Sequence, residues 1–269
     1  MVSTAVAPVL FGPVTTEEKK MKTLTILIRI FSLVSLVGCG SFKVRDRDDQ
    51  AVAGIKKAAL ISFSVYEPQS PKVGFNLSKG QTEARAGGTM GSQSDPTVDQ
   101  MYGDLQASLS KGLNWKVLGQ NEMTVSEEYK RAYKRTMEGW QNKMPPGEGI
   151  QHFKIQNVMD FDSARILGPQ GRDQLIDGLG VDALVVARVD VLLNGTSIMG
   201  FGSKHPQARL ALFVYKKGIE KPVWFDGGID GSEAKESVGS TAFIDDDLLK
   251  KLSTESARTA FNQIGSSPK

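Results

Sequence analysis

Apolar residues return along this chain in two rhythms, and the changes of rhythm mark its elements. Ala58 to Val65 (Ala-Ala-Leu-Ile-Ser-Phe-Ser-Val) begins as a continuous apolar run and ends alternating, which predicts a strand inside a sheet. Asp182 to Leu193 is the clearest strand, apolar on both faces in its first half and alternating later, and is expected at the centre of the sheet. Trp115 to Leu118 reads as a short strand. Ala208 to Tyr215 and Pro222 to Ile229 read as an antiparallel hairpin with a charged tip, Lys216 to Lys221.

Between these runs the period lengthens. Val98, Met101, Tyr102, Leu105, Leu109 and Leu113 form one helical stripe, opened by Asp95 as N-cap and Pro96 at the first helical position. Gly112 is expected to help end it. Ser126 starts a second helix, with Glu127 and Glu128 at its positive end and Lys130, Arg131, Lys134 and Arg135 forming a basic face that reads as solvated, the alternative being contact with anionic lipid or glycan. A third runs from about Pro169 to Leu179 and stops at Gly180. Asp245, Asp246 and Asp247 open a terminal helix whose inner face carries Leu248, Leu249, Leu252, Ser256, Ala260, Phe261 and Ile264, with Gly265 and Pro268 ending it. The pattern predicts an α/β fold, a single mixed sheet of about five strands with flanking helices.

Two stretches fall outside both rhythms. Tyr66 to Ser94 is rich in glycine and proline with few large apolar residues, and predicts a long loop. It lacks the ten-residue alternation of a membrane barrel strand. Ser41 to Gln50 carries Lys43, Arg45, Asp46, Arg47, Asp48 and Asp49, and reads as a solvated tether.

Upstream of that tether, Lys22 precedes an apolar stretch of about 14 residues, Leu24 to Val37, which is too short for a permanent membrane span and suits the hydrophobic region of a signal peptide. The chain's single cysteine, Cys39, follows directly. Leu36-Val37-Gly38-Cys39 resembles the lipobox of bacterial lipoproteins. The resemblance implies cleavage before Cys39, acylation of its thiol and its new amine, and anchoring in a lipid bilayer, since each buried CH2 contributes roughly 0.8 kcal/mol. In that family an Asp after the cysteine retains the protein at the inner membrane. Gly40 stands there instead, so the resemblance implies the outer membrane, periplasmic face.

Met21-Lys22 is the more natural start, so residues 1–20 read as an upstream extension. The expected division is therefore a signal peptide over 1–38, a lipidated tether over 39–54, and a periplasmic α/β domain over 55–269 with a long loop at 66–94. Loss of residues 1–38 lowers the formal net charge from +3 to +1, a balance that argues against nucleic acid as partner. An acylated Cys39 leaves no thiol for a disulfide, so packing must hold the domain.

Leu175-Ile176-Asp177-Gly178-Leu179-Gly180-Val181-Asp182-Ala183-Leu184-Val185-Val186-Ala187 looks like the helix, glycine turn and strand junction of the group of curli-secretion lipoproteins, penicillin-binding-protein activators and the TolB amino-terminal domain. That resemblance implies a small non-catalytic α/β domain that docks other envelope proteins or assembles into rings, with a possible homo-oligomer.

Catalytic and metal signatures are sparse. His152 and His205 are expected as separate surface loop residues, without an HExxH or a cysteine pair, so no metal and no cofactor is assigned. Asp245 to Asp247 suit a helix start better than a Ca2+ site. Gly87 to Ser92 lacks the lysine of a phosphate loop, and no Gly-x-Ser-x-Gly elbow is present. Asp160 and Asp162 are the candidate carboxylates for a cell-wall glycan or peptide hydrolase, which requires that they converge with at least one desolvated. Trp115 and Trp224 read as core or rim residues and Trp140 as an exposed contact residue. The reading is a non-enzymatic, lipid-anchored interaction or assembly module. The alternatives are that hydrolase and a subunit of an oligomeric export ring.

Overall fold

A computed structural model describes residues 45–68, 73–76, 81–84, 95–140, 150–195, 202–240 and 244–265. The signal peptide, the lipobox with Cys39, Pro268 and most of the 66–94 loop lie outside the described residues.

The fold is α/β, built on a mixed seven-stranded sheet. Its longest strands are β2 (Lys57–Pro68), β7 (Ala183–Asn194) and β8 (His205–Lys216). β2 and β7 run parallel; β8 pairs antiparallel with β7, and β9 (Trp224–Asp230) antiparallel with β8. Both β2 and β7 are interior strands, in agreement with their unbroken apolar runs.

Two strands come from segments without an apolar pattern. β1 (Arg45–Arg47) adds antiparallel to β9, and β6 (Ile150–Lys154) adds antiparallel to the second half of β2. β5 (Lys116–Leu118) pairs parallel with the start of β2, so one strand serves two neighbours in succession. Within the 66–94 segment, β3 (Val73–Asn76) and β4 (Gln81–Ala84) form a separate antiparallel pair.

Residues 45–53, expected as part of the tether, belong to the body. β1 is followed by the short helix α1 (Asp49–Ala53), capped by Asp48, whose side chain accepts from Ala51 N at 2.9 Å. Arg45 Nε lies 3.3 Å from Asp226 Oδ2, and the Arg47 guanidinium sits 4.7 Å over the Trp224 ring. Charge and cation–π contacts thus hold a strand that has no apolar residue of its own.

Helices cover the sheet unequally. On one face α2 (Pro96–Leu113) and α7 (Asp246–Phe261) bury their stripes, Val98, Met101, Leu105 and Leu109 against Leu249, Ala257, Ala260 and Phe261. Asp95 and Asp245 cap them as the sequence predicts, accepting from Thr97 N at 2.9 Å and Leu248 N at 3.0 Å. Gly112 does not end α2. Asn114, in the left-handed conformation at φ 56°, caps it instead, and Gly112 is where the backbone around Gly265 comes close, 3.0 Å from where a Cβ would stand.

On the other face lie α3 (Gln120–Met123), α4 (Glu127–Trp140), α5 (Phe161–Arg165) and α6 (Gly168–Leu179). Gly180, at φ 58°, closes α6 before β7. The register of β2 shifts at Ile61, whose carbonyl accepts from Tyr129 OH at 3.1 Å and from Met159 N at 3.3 Å. These partners satisfy a backbone group that the irregular ladder leaves out. The second core cluster centres on β2, β7 and helices α4 to α6, with Phe213 of β8 only partly buried at its margin against Phe161 and Arg165 of α5.

Candidate functional site

The carboxyl-terminal halves of β2 and β7 place a polar row on that second face. Alternation turns Ser62, Ser64 and Tyr66 of β2 and Arg188 and Asp190 of β7 to the same side. Cross-strand pairing then gives one continuous line: His152 of β6 opposite Tyr66, Tyr66 opposite Asp190, Asp190 opposite Arg209 of β8, and Arg209 opposite Asp230 of β9.

The charges along this line are tied to one another. Arg188 donates to Asp190 Oδ2 from Nε at 3.1 Å and from Nη2 at 2.9 Å, and Arg209 Nε donates to Asp230 Oδ1 at 2.6 Å. The Arg188 guanidinium also lies 5.1 Å from the ring centroids of both Tyr66 and Phe161. Its planar group is held in one orientation by two rings and a carboxylate. Burial raises the Asp190 carboxyl above the usual carboxylate range, against the opposing pull of Arg188 and Arg209.

Asp160 and Asp162, the candidate carboxylates, do come together here. Asp160 is 1% exposed; its Oδ2 lies 2.8 Å from His152 Nε2, and its Oδ1 accepts from Asp162 N at 2.9 Å. Asp162 Oδ2 accepts from the Tyr66 hydroxyl at 3.0 Å. Tyr66 stacks on His152 with centroids 4.6 Å apart and planes 11° from parallel. Burial first, then the charges of Asp160 and Asp162, push the Tyr66 hydroxyl well above its ordinary range, so it remains a proton donor. Phe161 N donates to Ser64 Oγ at 3.0 Å, fixing the turn that carries both aspartates.

Comparisons with protein-family models, with curated proteins and with solved structures give no match. The geometry alone therefore speaks for the site.

Chemically, the cluster is a braced polar face. Each candidate carboxylate is engaged by a neighbour from another part of the chain, and Asp160 sits too deep to touch a polymer. Replacing Asp160 by alanine strips a partner from His152 and from Asp162 N. The expected cost is about 2 kcal/mol of stability, the penalty for leaving buried donors unsatisfied, and urea unfolding measures it. An unchanged unfolding midpoint would show that water replaces the carboxylate freely.

Other sequence candidates fall elsewhere. His152 and His205 lie in strands, not loops, because β6 and β8 extend past their apolar cores into polar positions; His205 Nδ1 is 3.1 Å from Ala234 O. Trp115 and Trp224 are buried at 4% and 0% exposure, as core residues. Trp140 is the last residue of α4, and its side chain lies outside the described set. Asp245 acts as the helix cap. Among the described residues no group of three or more His, Cys, Asp or Glu is placed to hold a metal, and no helix is long and apolar enough to cross a membrane.

Proposed function

We propose that this chain is a lipid-anchored protein of the bacterial cell envelope, non-catalytic, acting as a periplasmic interaction or assembly module at the outer membrane. The observation that carries the reading is the order of its parts. An apolar leader ends in Leu36-Val37-Gly38-Cys39, and an α/β body begins within a few residues, at Arg45. Acyl chains on Cys39 are its link to the bilayer.

The engaged state of the carboxylates supports the non-catalytic part. A general acid needs room for substrate within hydrogen-bond reach, and Asp160 is enclosed with His152 beside it. Hydrolysis of cell-wall glycan or peptide is the second reading, favoured by one fact: Asp160 and Asp162 converge and one of them is desolvated. Release of soluble fragments from purified cell walls would support that reading against the first.

The anchor is tested by metabolic labelling with a palmitate analogue. Wild-type protein is expected to carry label and to fractionate with membranes, and Cys39→Ser protein to lose both. A labelled, membrane-bound Cys39→Ser protein would sink the proposal. Sizing of the detergent-solubilised protein separates a monomeric adaptor from an export ring.

A further inference from the structure

One end of the sheet gathers lysines from three strands. Lys57 begins β2 and lies opposite Lys116, which begins β5; Lys56 precedes them, and Lys216 ends β8 opposite Ala183, the first residue of β7. The connection from β8 to β9 adds Lys217 and Lys221. Like charges side by side on neighbouring strands are destabilising, and Lys56, Lys57, Lys116 and Lys221 enter no ion pair among the described residues.

The carboxylates at this end already have partners, Glu220 excepted. Asp177 lies 2.6 Å from Lys217 Nζ, Asp49 2.9 Å from Arg47 Nε, and Asp48 caps α1. Asp182 Oδ2 accepts from the amides of Lys56 and Lys57 at 2.9 and 2.8 Å, and Asp173 Oδ1 from Gly218 N at 3.1 Å. Cations exceed carboxylates here, and the free ones are lysines.

The tip of the β8–β9 connection adds an apolar group. Ile219, 40% exposed, stands between Lys217 and Lys221. Its neighbours are fixed, Gly218 by Asp173 and the Glu220 carbonyl by Arg172 Nη2 at 2.7 Å. An apolar side chain among ammonium groups matches the boundary between phosphate headgroups and acyl chains.

Reach selects the same end. Arg45 lies opposite Asp226, Asp226 opposite Leu212, and Leu212 opposite Ala187. The chain therefore enters the sheet level with Ala187, roughly 13 Å from the lysine end of β7 at Ala183 and roughly 23 Å from its other end at Asn194. The six residues from Cys39 to Arg45 span about 20 Å at most. If Cys39 is held in a bilayer, the lysine end lies within that span and the Asn194 end lies beyond it.

We propose that the sheet end carrying Lys56, Lys57, Lys116, Lys221 and Ile219 rests on anionic phospholipid headgroups. The orientation rests on the proposed anchor at Cys39; the basic end does not. A tether keeps the local concentration of the body at the surface high, so contacts too weak to bind from solution still orient it. The opposite end, where β2 finishes at Pro68, then faces away from the bilayer.

The test uses full-length protein reconstituted in vesicles of phosphatidylcholine, with or without an equal part of phosphatidylglycerol, bearing a headgroup spin label that quenches nearby fluorophores. One fluorophore is attached at Glu220→Cys; another is attached at Lys235→Cys, beside Ala234, whose amide bonds Pro206 at the far end. In anionic vesicles the Glu220 site is expected to be quenched more than the Lys235 site. That contrast is expected to fall roughly threefold or more in neutral vesicles, and likewise when Lys56, Lys57 and Lys116 are all replaced by glutamine. The comparison of lipids needs no substitution and decides the matter should the triple variant fail to fold. Equal quenching at the two sites, stronger quenching at Lys235, or a contrast indifferent to lipid charge would each overturn the orientation. Cys39→Ser protein keeps the two readings apart. Its sedimentation with anionic but not neutral vesicles, lost in the triple variant, sustains the basic surface even if wild type carries no acyl label; labelled wild type whose Glu220 site stays unquenched keeps the anchor and removes the surface.

Discussion

Replacing Trp224 by alanine is expected to cost about 4 kcal/mol, in the range for emptying a fully buried indole site. Trp224 is 0% exposed at the junction of β9 with β1, and its ring is the surface on which the Arg47 guanidinium rests 4.7 Å away. Two losses therefore coincide. The core gains a cavity, and β1 loses the contact that anchors it beside Arg45–Asp226. Trp224→Phe separates them: it keeps an aromatic face for Arg47 and removes the indole N–H, which has no hydrogen-bond partner, so a smaller cost is expected. Denaturant unfolding gives the energies, and hydrogen exchange at the amides of residues 45–47 reports the undocking of β1. A Trp224→Ala protein as stable as wild type, with those amides still protected, would show that neither contact matters.

The pH dependence of stability is expected to turn on Glu67. This residue, near the end of β2, is 8% exposed, and burial pushes its carboxyl from 4.5 up to about 7 despite the Lys250 ammonium, with Asp246 and Asp95 adding to the rise. Lys250 is committed to Asp95, whose Oδ2 lies 2.7 Å from its Nζ. Hydrogen bonds from Lys250 and Thr97 outweigh burial at Asp95 and hold that carboxyl below its usual range, while Asp95 raises Lys250.

The sign follows from linkage. Below 4.5 both folded and unfolded chains carry the Glu67 proton, and its contribution is fully present. Between 4.5 and about 7 the unfolded chain releases the proton while the folded chain retains it, so folding loses free energy as pH rises. The loss comes to roughly 3 kcal/mol once pH exceeds the folded value. Glu67→Gln, which cannot ionise, is expected to be more stable than wild type at about pH 8 and similar at about pH 4. Urea midpoints for both proteins across that interval measure the difference. Parallel curves would mean that Glu67 ionises in the folded state as readily as in the unfolded one.

The apolar runs of β2, β7, β8 and β9, and the stripes of α2 and α7, were legible because burial on one or both faces writes a period into the sequence. The elements that escaped have other causes. β1 is Arg-Asp-Arg, an edge strand whose partners Asp226 and Trp224 are about 180 residues away, and no local rhythm reports such pairing. β6 follows the Pro145-Pro146 break and carries a polar His152 whose stacking partner, Tyr66, lies on another strand. Asp160 and Asp162 were visible as a pair, yet their meeting with Tyr66 and Arg188 depends on the register of three strands. The packing of Phe213 against Phe225, Phe161 and Arg165 was not legible either, because sequence alternation tells which side a residue takes and not what meets it there.

The edge position of β1 bears directly on the proposed anchor. Arg45 is already stitched to Asp226, so if Cys39 carries the proposed acyl group, six residues and not sixteen separate it from the body, a stretch whose upper limit is about 20 Å. Under the proposed anchoring, a body held so closely could not search the depth of the periplasm, and its partner would have to arrive at the bilayer.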